Sequence, residues 1–135
     1  MDYIADEQAK PRLDPILDVP QALALRETAR RVRLSEVLKD YIVRLVTATR
    51  DPRNADPALA PLIRYGASPR ASINLARASR ARALLDGRGY VIPEDIKAVA
   101  PSILWHRILV TYEAEAEEVT TLDIVRRLLE CVPVP

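Results

Sequence analysis

The chain has no phenylalanine, one tryptophan, one methionine and one histidine among its 135 residues, and only 4% of it is aromatic. A core must therefore be built from Leu, Ile, Val and Ala, which supply most of the 49% hydrophobic content, a fraction ordinary for one globular domain. The single cysteine, Cys131, excludes an internal disulfide and a thiolate zinc site and fits a reducing compartment. The three glycines, Gly66, Gly87 and Gly89, are followed by Ala67, Arg88 and Tyr90, so this sequence contains no phosphate loop ending in Gly-Lys-Ser/Thr. The lone histidine, His106, excludes two-histidine metal chemistry; near the end of an apolar helix it reads as a capping or packing residue, and no metal site is expected. No apolar run approaches the roughly 18 residues that span a bilayer. The opening Met1-Asp2-Tyr3-Ile4-Ala5-Asp6-Glu7 is too acidic for a signal peptide, so a cytoplasmic protein without membrane insertion is expected. Twenty basic against nineteen acidic residues leave a net charge of +1 and no whole-molecule attraction to nucleic acid or membrane.

What is present is helical periodicity. Residues 1–17, with Pro11, Pro15 and scattered charges, read as a linker; residues 18–135 read as one domain. A first helix is expected over Pro20–Arg30, with Leu23, Ala29 and Val32 partly on one side. A second is expected from a Ser35 cap to about Thr49, with Val37, Leu38, Tyr41, Ile42, Leu45 and Val46 at helical spacing. Residues 51–65 contain three prolines and read as a long loop. A third helix should run from Pro69 to Asp86 and stop at Gly87-Arg88-Gly89, its alanines letting neighbours approach. Tyr90 to Ile92 read as extended, with a fourth helix from Pro93 to about His106 and a short strand over Arg107–Val110. Thr121 should cap a last helix with Leu122, Val125, Leu128, Leu129 and Val132 facing inward. The fold class is all-α: a small bundle of about five helices with at most a very short β element.

The chemistry concentrates in Gly66-Ala67-Ser68-Pro69-Arg70-Ala71. Ser68 suits an N-cap and Pro69 the first helical position, which puts Arg70 on the first turn. An exposed cation there opposes the helix dipole by about 0.3–1 kcal/mol, and an anion reverses the sign. A guanidinium fork beside free backbone amides is how an oxyanion site is made, although a structural salt bridge would also explain Arg70. Arg70, Arg77, Arg80, Arg82 and Arg88 oppose only Asp86 in this region. At about 100° per residue they do not form one stripe. Most of them read as surface residues or as partners of the acidic segment that holds Glu113, Glu115, Glu117 and Glu118, itself a solvated face without a calcium-loop pattern.

The stretch from Tyr65 to Ile108, with GASPRA, the Y-V-x-P-E-D-I run and His106-Arg107, resembles the C-terminal helical lid of the MoxR family of AAA+ ATPases. Leu38–Pro52 and Val119–Pro135 fit the same family. The resemblance implies that Arg70 is the sensor-two arginine, which acts on ATP phosphates when the lid closes over nucleotide held by a separate core domain. Ala67, Ser68, Pro69 and Ala71 would shape its surroundings. It implies ATP with Mg2+ as the cofactor of the longer protein, no tight cofactor for this part alone, and no independent enzyme activity without the core. It further implies a homo-oligomeric ring, usually of six subunits, chaperone-like remodelling of client proteins, and a chain excised from a longer one.

Two other classes fit the residues: a stand-alone helical adaptor that uses the acidic segment, and a nucleic-acid-binding module that uses the third helix. Balanced charge and dispersed arginines argue against nucleic acid as a partner. Circular dichroism is expected to be dominated by helix, and a mainly sheet spectrum would overturn the assignment of elements.

Overall fold

The structure, a computed structural model, describes residues 14–135; most of the expected linker, residues 1–13, lies outside the described residues. Six α-helices and one two-stranded clip occupy the described part. Helix α1 (Val19–Arg31) starts at Asp18, whose carboxylate accepts from the Gln21 amide while Gln21 reaches back to the Asp18 amide. None of its residues is buried: of Leu23, Ala29 and Val32, expected partly on one side, Leu23 is exposed and only Val32, just past the helix end, enters the core. Helix α2 (Glu36–Ala48), capped by Ser35, buries Leu38, Tyr41, Ile42, Leu45 and Val46, whereas Val37 faces solvent.

The expected loop over 51–65 is mostly ordered into short elements. Pro52 and Pro57 open two single turns of 3-10 helix, Pro52–Asn54 and Pro57–Leu59, because proline presets φ and gives up an amide that no turn would satisfy. Pro52, Leu59 and Leu62 are buried. Strand β1 (Ile63–Tyr65) then pairs antiparallel with β2 (Leu109–Val110), and Thr111 donates to the Leu62 and Pro61 carbonyls, fastening two regions far apart in sequence.

Helix α3 (Arg70–Leu85) is the centre, packed against α1, α2 and α4. Ala71, Leu75, Ser79 and Ala83 are buried, four residues apart, so small side chains hold its inner seam as the alanine content implied. The Ser79 hydroxyl donates to Leu75 O at 2.7 Å, which leaves no orphan donor there. Helix α4 (Pro93–Leu104) contains Pro101 and ends before the expected His106; the chain tightens into a 3-10 turn over Trp105–Arg107, so β2 begins only at Leu109.

The acidic segment folds further than expected. Helix α5 (Tyr112–Ala116) is capped by Thr111 and anchored by buried Ala114, with its glutamates in solvent. Helix α6 (Thr121–Cys131) is capped by Thr120 rather than Thr121, because Thr120 and Asp123 bond reciprocally. Ile124, Val125, Leu128 and Val132 are buried, Leu129 is half-buried and Leu122 faces water. His106 is exposed and packs edge-on to Trp105 at 5.8 Å.

The arginines of α3 do not pair with α5. Arg88 grips Asp95 with both terminal nitrogens at 2.6 and 2.7 Å and also reaches Asp86 and the Tyr90 carbonyl. Arg82 lies 3.8 Å from the same Asp95 oxygen. Ile92 offers no capping side chain, and Asp95 makes only the reverse half of a cap, its carboxylate accepting from the Ile92 amide at 2.9 Å. The end of α3 is thereby locked to the start of α4. Burial alone would raise the Asp95 pKa, but the Arg88 hydrogen bonds, the Ile92 amide and the two arginine charges outweigh it and hold the carboxyl below its ordinary value.

Because the folded value is the lower one, the native state binds the proton less readily than the unfolded chain. This part of the stability is complete above about pH 4 and is lost as the pH falls through the folded value. Asp95→Asn is expected to cost about 1.5–3 kcal/mol near neutral pH, the range for hydrogen bonds to charged groups, and to make the acid loss shallower. Urea melts of both proteins from pH 2.5 to 7 measure this, and parallel acid profiles would contradict it.

Candidate functional site

The turn from Gly66 to Pro69 sets where α3 begins, and its position is fixed by the end of α2. Thr49 is fully buried; its hydroxyl donates to Val46 O at 2.7 Å and accepts from the Ala67 amide at 2.9 Å. Gly66 lies so close that a Cβ built on it would stand 2.2 Å from Thr49 O and 2.6 Å from Arg50 N. Glycine is thus required by approach to backbone, not by an unusual φ. Sequence reasoning noted Gly66 only as one of three glycines and the start of the GASPRA stretch, and missed Thr49, which resembles any other threonine at a helix end until residue 67 is seen beside it.

Within this frame the five singled-out residues divide by exposure. Ala67 and Ala71 are fully buried and anchor the turn from inside, whereas Ser68, Pro69 and Arg70 face solvent. The Ser68 side chain forms no cap. Pro69, already in helical dihedrals, precedes the helix, so Arg70 is its first residue rather than its second. The Ala71 amide donates to Ser68 O at 2.8 Å and the Ser72 amide to Pro69 O at 3.1 Å. Among the described residues the Ser68 and Arg70 amides have no acceptor, and the Arg70 guanidinium joins no ion pair.

Donors and charge of one sign therefore converge at the open end of α3, where the helix dipole adds to them. Unpaired donors and positive charge of this kind favour anionic oxygen over a cation. No group of three or more His, Cys, Asp or Glu among the described residues is placed to bind a metal. No described helix is long and apolar enough to cross a membrane.

A small helical domain with this arginine-led helix is a lid of the AAA type. The chain belongs to the AAA lid domain family, which matches residues 56–128. It is similar to Chaperone MoxR1 of Mycobacterium tuberculosis, at 39% identity over 93% of this chain and 33% of that protein. It is also similar to Protein MoxR of Methylorubrum extorquens, at 41% identity over 58% of this chain and 23% of that protein. A crystal structure from Cytophaga hutchinsonii, described as a candidate ATPase, superposes with a TM-score of 0.83 at 46% identity, covering 86% of this chain and 36% of that one. The chain spans about a third of the length of two curated relatives it matches, at 33% and 36%. The MoxR-type AAA+ lid, expected from the GASPRA stretch, is thereby established.

Gly66→Ala is expected to destabilise the domain by about 1–3 kcal/mol, because the added Cβ must push the turn off the α2 terminus. Its denaturation midpoint should fall accordingly, and an unchanged midpoint would show that the close approach is not obligatory.

Proposed function

We propose that this domain closes over ATP held by a separate AAA+ core and that Arg70 is the sensor-two arginine that reads the phosphates. The observation that carries this reading is the Arg70 guanidinium without an ion pair, beside two amides without an acceptor, among the described residues at the N-terminus of α3. A triphosphate would supply the charge these groups lack, and the guanidinium fork suits its oxygens. Ser68 and Pro69 would border the phosphates, while Ala67 and Ala71 would hold the turn in place. Mg2+ would take its ligands from the core and the nucleotide.

The exposed row Ile16, Leu17, Val19, Leu23 and Leu25 supports a docked core, because apolar side chains gathered along one short segment favour a protein contact over water. Residues 1–17 would link the two domains. Nucleotide binding would draw the lid onto the core, hydrolysis would release it, and a homo-oligomeric ring, probed first as a hexamer, would carry the motion to client proteins in the cytoplasm. This part alone would have no turnover.

Arg70→Ala in a protein that joins this lid to its core is expected to lower ATP turnover at least about tenfold, as loss of one preorganised charge contact does. The melting temperature of the lid should hardly move, since the Arg70 side chain is exposed and joins no ion pair among the described residues. Turnover equal to that of the wild type would end the proposal.

A further inference from the structure

Four arginines meet away from Arg70. Helices α1 and α3 pack side by side, and the groove between them, about 240 Å³, is lined by Arg26, Ala29 and Arg30 of α1 and by Arg77, Arg80 and Ala81 of α3. Ala29 and Ala81 are its only lining residues that are not arginines, so any polar lining comes from the four arginine side chains and the backbone. No acidic residue lines the groove. Glu27 holds Arg30 at 3.2 Å, but Arg26, Arg77 and Arg80 form no ion pair among the described residues.

This arrangement works against the stability of the folded chain. Arg26 and Arg30 are one turn apart on one helix, Arg77 and Arg80 nearly so on the other, and like charges at that spacing repel. Packing the helices together brings the two pairs face to face. The Nε of Arg80 is also buried away from solvent without a hydrogen-bond acceptor, a state that buried donors rarely keep. An oxyanion in the groove would offset the shared positive charge and offer acceptors to the outer guanidinium nitrogens, although the buried Arg80 Nε itself stays out of its reach.

We infer that the groove between α1 and α3 is a binding site for a phosphate group, held by Arg26, Arg30, Arg77 and Arg80. The site is separate from the one proposed at Arg70. Arg77 lies about 10 Å and Arg80 about 15 Å along the helix from Arg70, from the rise per residue. The free anion and the phosphate of a larger molecule share the recognition chemistry. Guanidinium forks match phosphate oxygens in pairs and stay charged at every physiological pH. Occupation would tie α1, otherwise held with no buried residue, to α3.

The test is a titration of the 135-residue chain carrying Arg70→Ala with pyrophosphate in 150 mM sodium chloride, read by phosphorus NMR and by the melting temperature. The Arg70→Ala background removes the other anion site, so the groove is judged independently of the proposed function. Saturable binding with a raised melting temperature is expected, weakened at least tenfold by the pair Arg77→Gln and Arg80→Gln. If that pair does not fold, Arg26→Gln with Arg30→Gln, both on the exposed α1, must produce the same weakening. Absence of saturable binding, or binding equal in the groove variants, overturns the inference. So does salt-dependent binding of random duplex DNA by a chain that ignores pyrophosphate.

Discussion

The approach of Gly66 to the end of α2 is the contact on which the site depends. Helix α3 can begin only where the turn before it is seated. That seat is a buried threonine hydroxyl shared between Val46 O and the Ala67 amide, with a glycine pressed against the Thr49 carbonyl. Because Ala67 and Ala71 fill the inner side of the turn, Ser68 and Arg70 are turned to solvent with their amides free. The geometry follows from backbone placement, not from any attraction exerted on Arg70. An arginine held by a salt bridge would be spent; this one is left available.

The far end of α3 is secured by a different kind of force. A bidentate Arg88–Asp95 pair, joined by Arg82 and the Ile92 amide, fixes the α3–α4 corner. Its value comes from completeness. Asp95 is buried and each of its oxygens has a partner, so no charge is stranded in a low-dielectric interior. With one end set by close packing and the other by charge, the central helix is aligned on its neighbours through a seam of small residues.

Charge on this protein is distributed in two ways that the net value of +1 conceals. Some arginines are consumed by structural partners, as Arg82 and Arg88 are. Others, Arg70 at the start of α3 and Arg26, Arg77 and Arg80 in the α1–α3 groove, form no ion pair among the described residues. The glutamates of α5 form no ion pair among the described residues, although a sign-matched partnership with α3 was the natural expectation. Tertiary placement put a single buried carboxylate beside Arg82 and Arg88, where two hydrogen bonds from Arg88 and two arginine charges outweigh the cost of burying it.

The sequence by itself determined the helical class, the approximate span of every long helix and the identity of the exposed arginine that opens α3. Those features are local: hydrophobic period, caps and glycine stops act within a few residues. The family was legible for the same reason, since its marks lie in one continuous stretch. Sequence alone left the 3-10 turns and β1 hidden in a proline-rich loop, because a strand of three residues forms only against a partner near residue 110. It also placed Val37 and Leu122 inside, since periodicity marks a face but not which neighbours cover it. The Thr49 seat, the Arg88–Asp95 lock and the convergence of α1 and α3 arginines were decided by tertiary structure alone. Each joins residues that only packing brings together, and no local pattern records the distance between them.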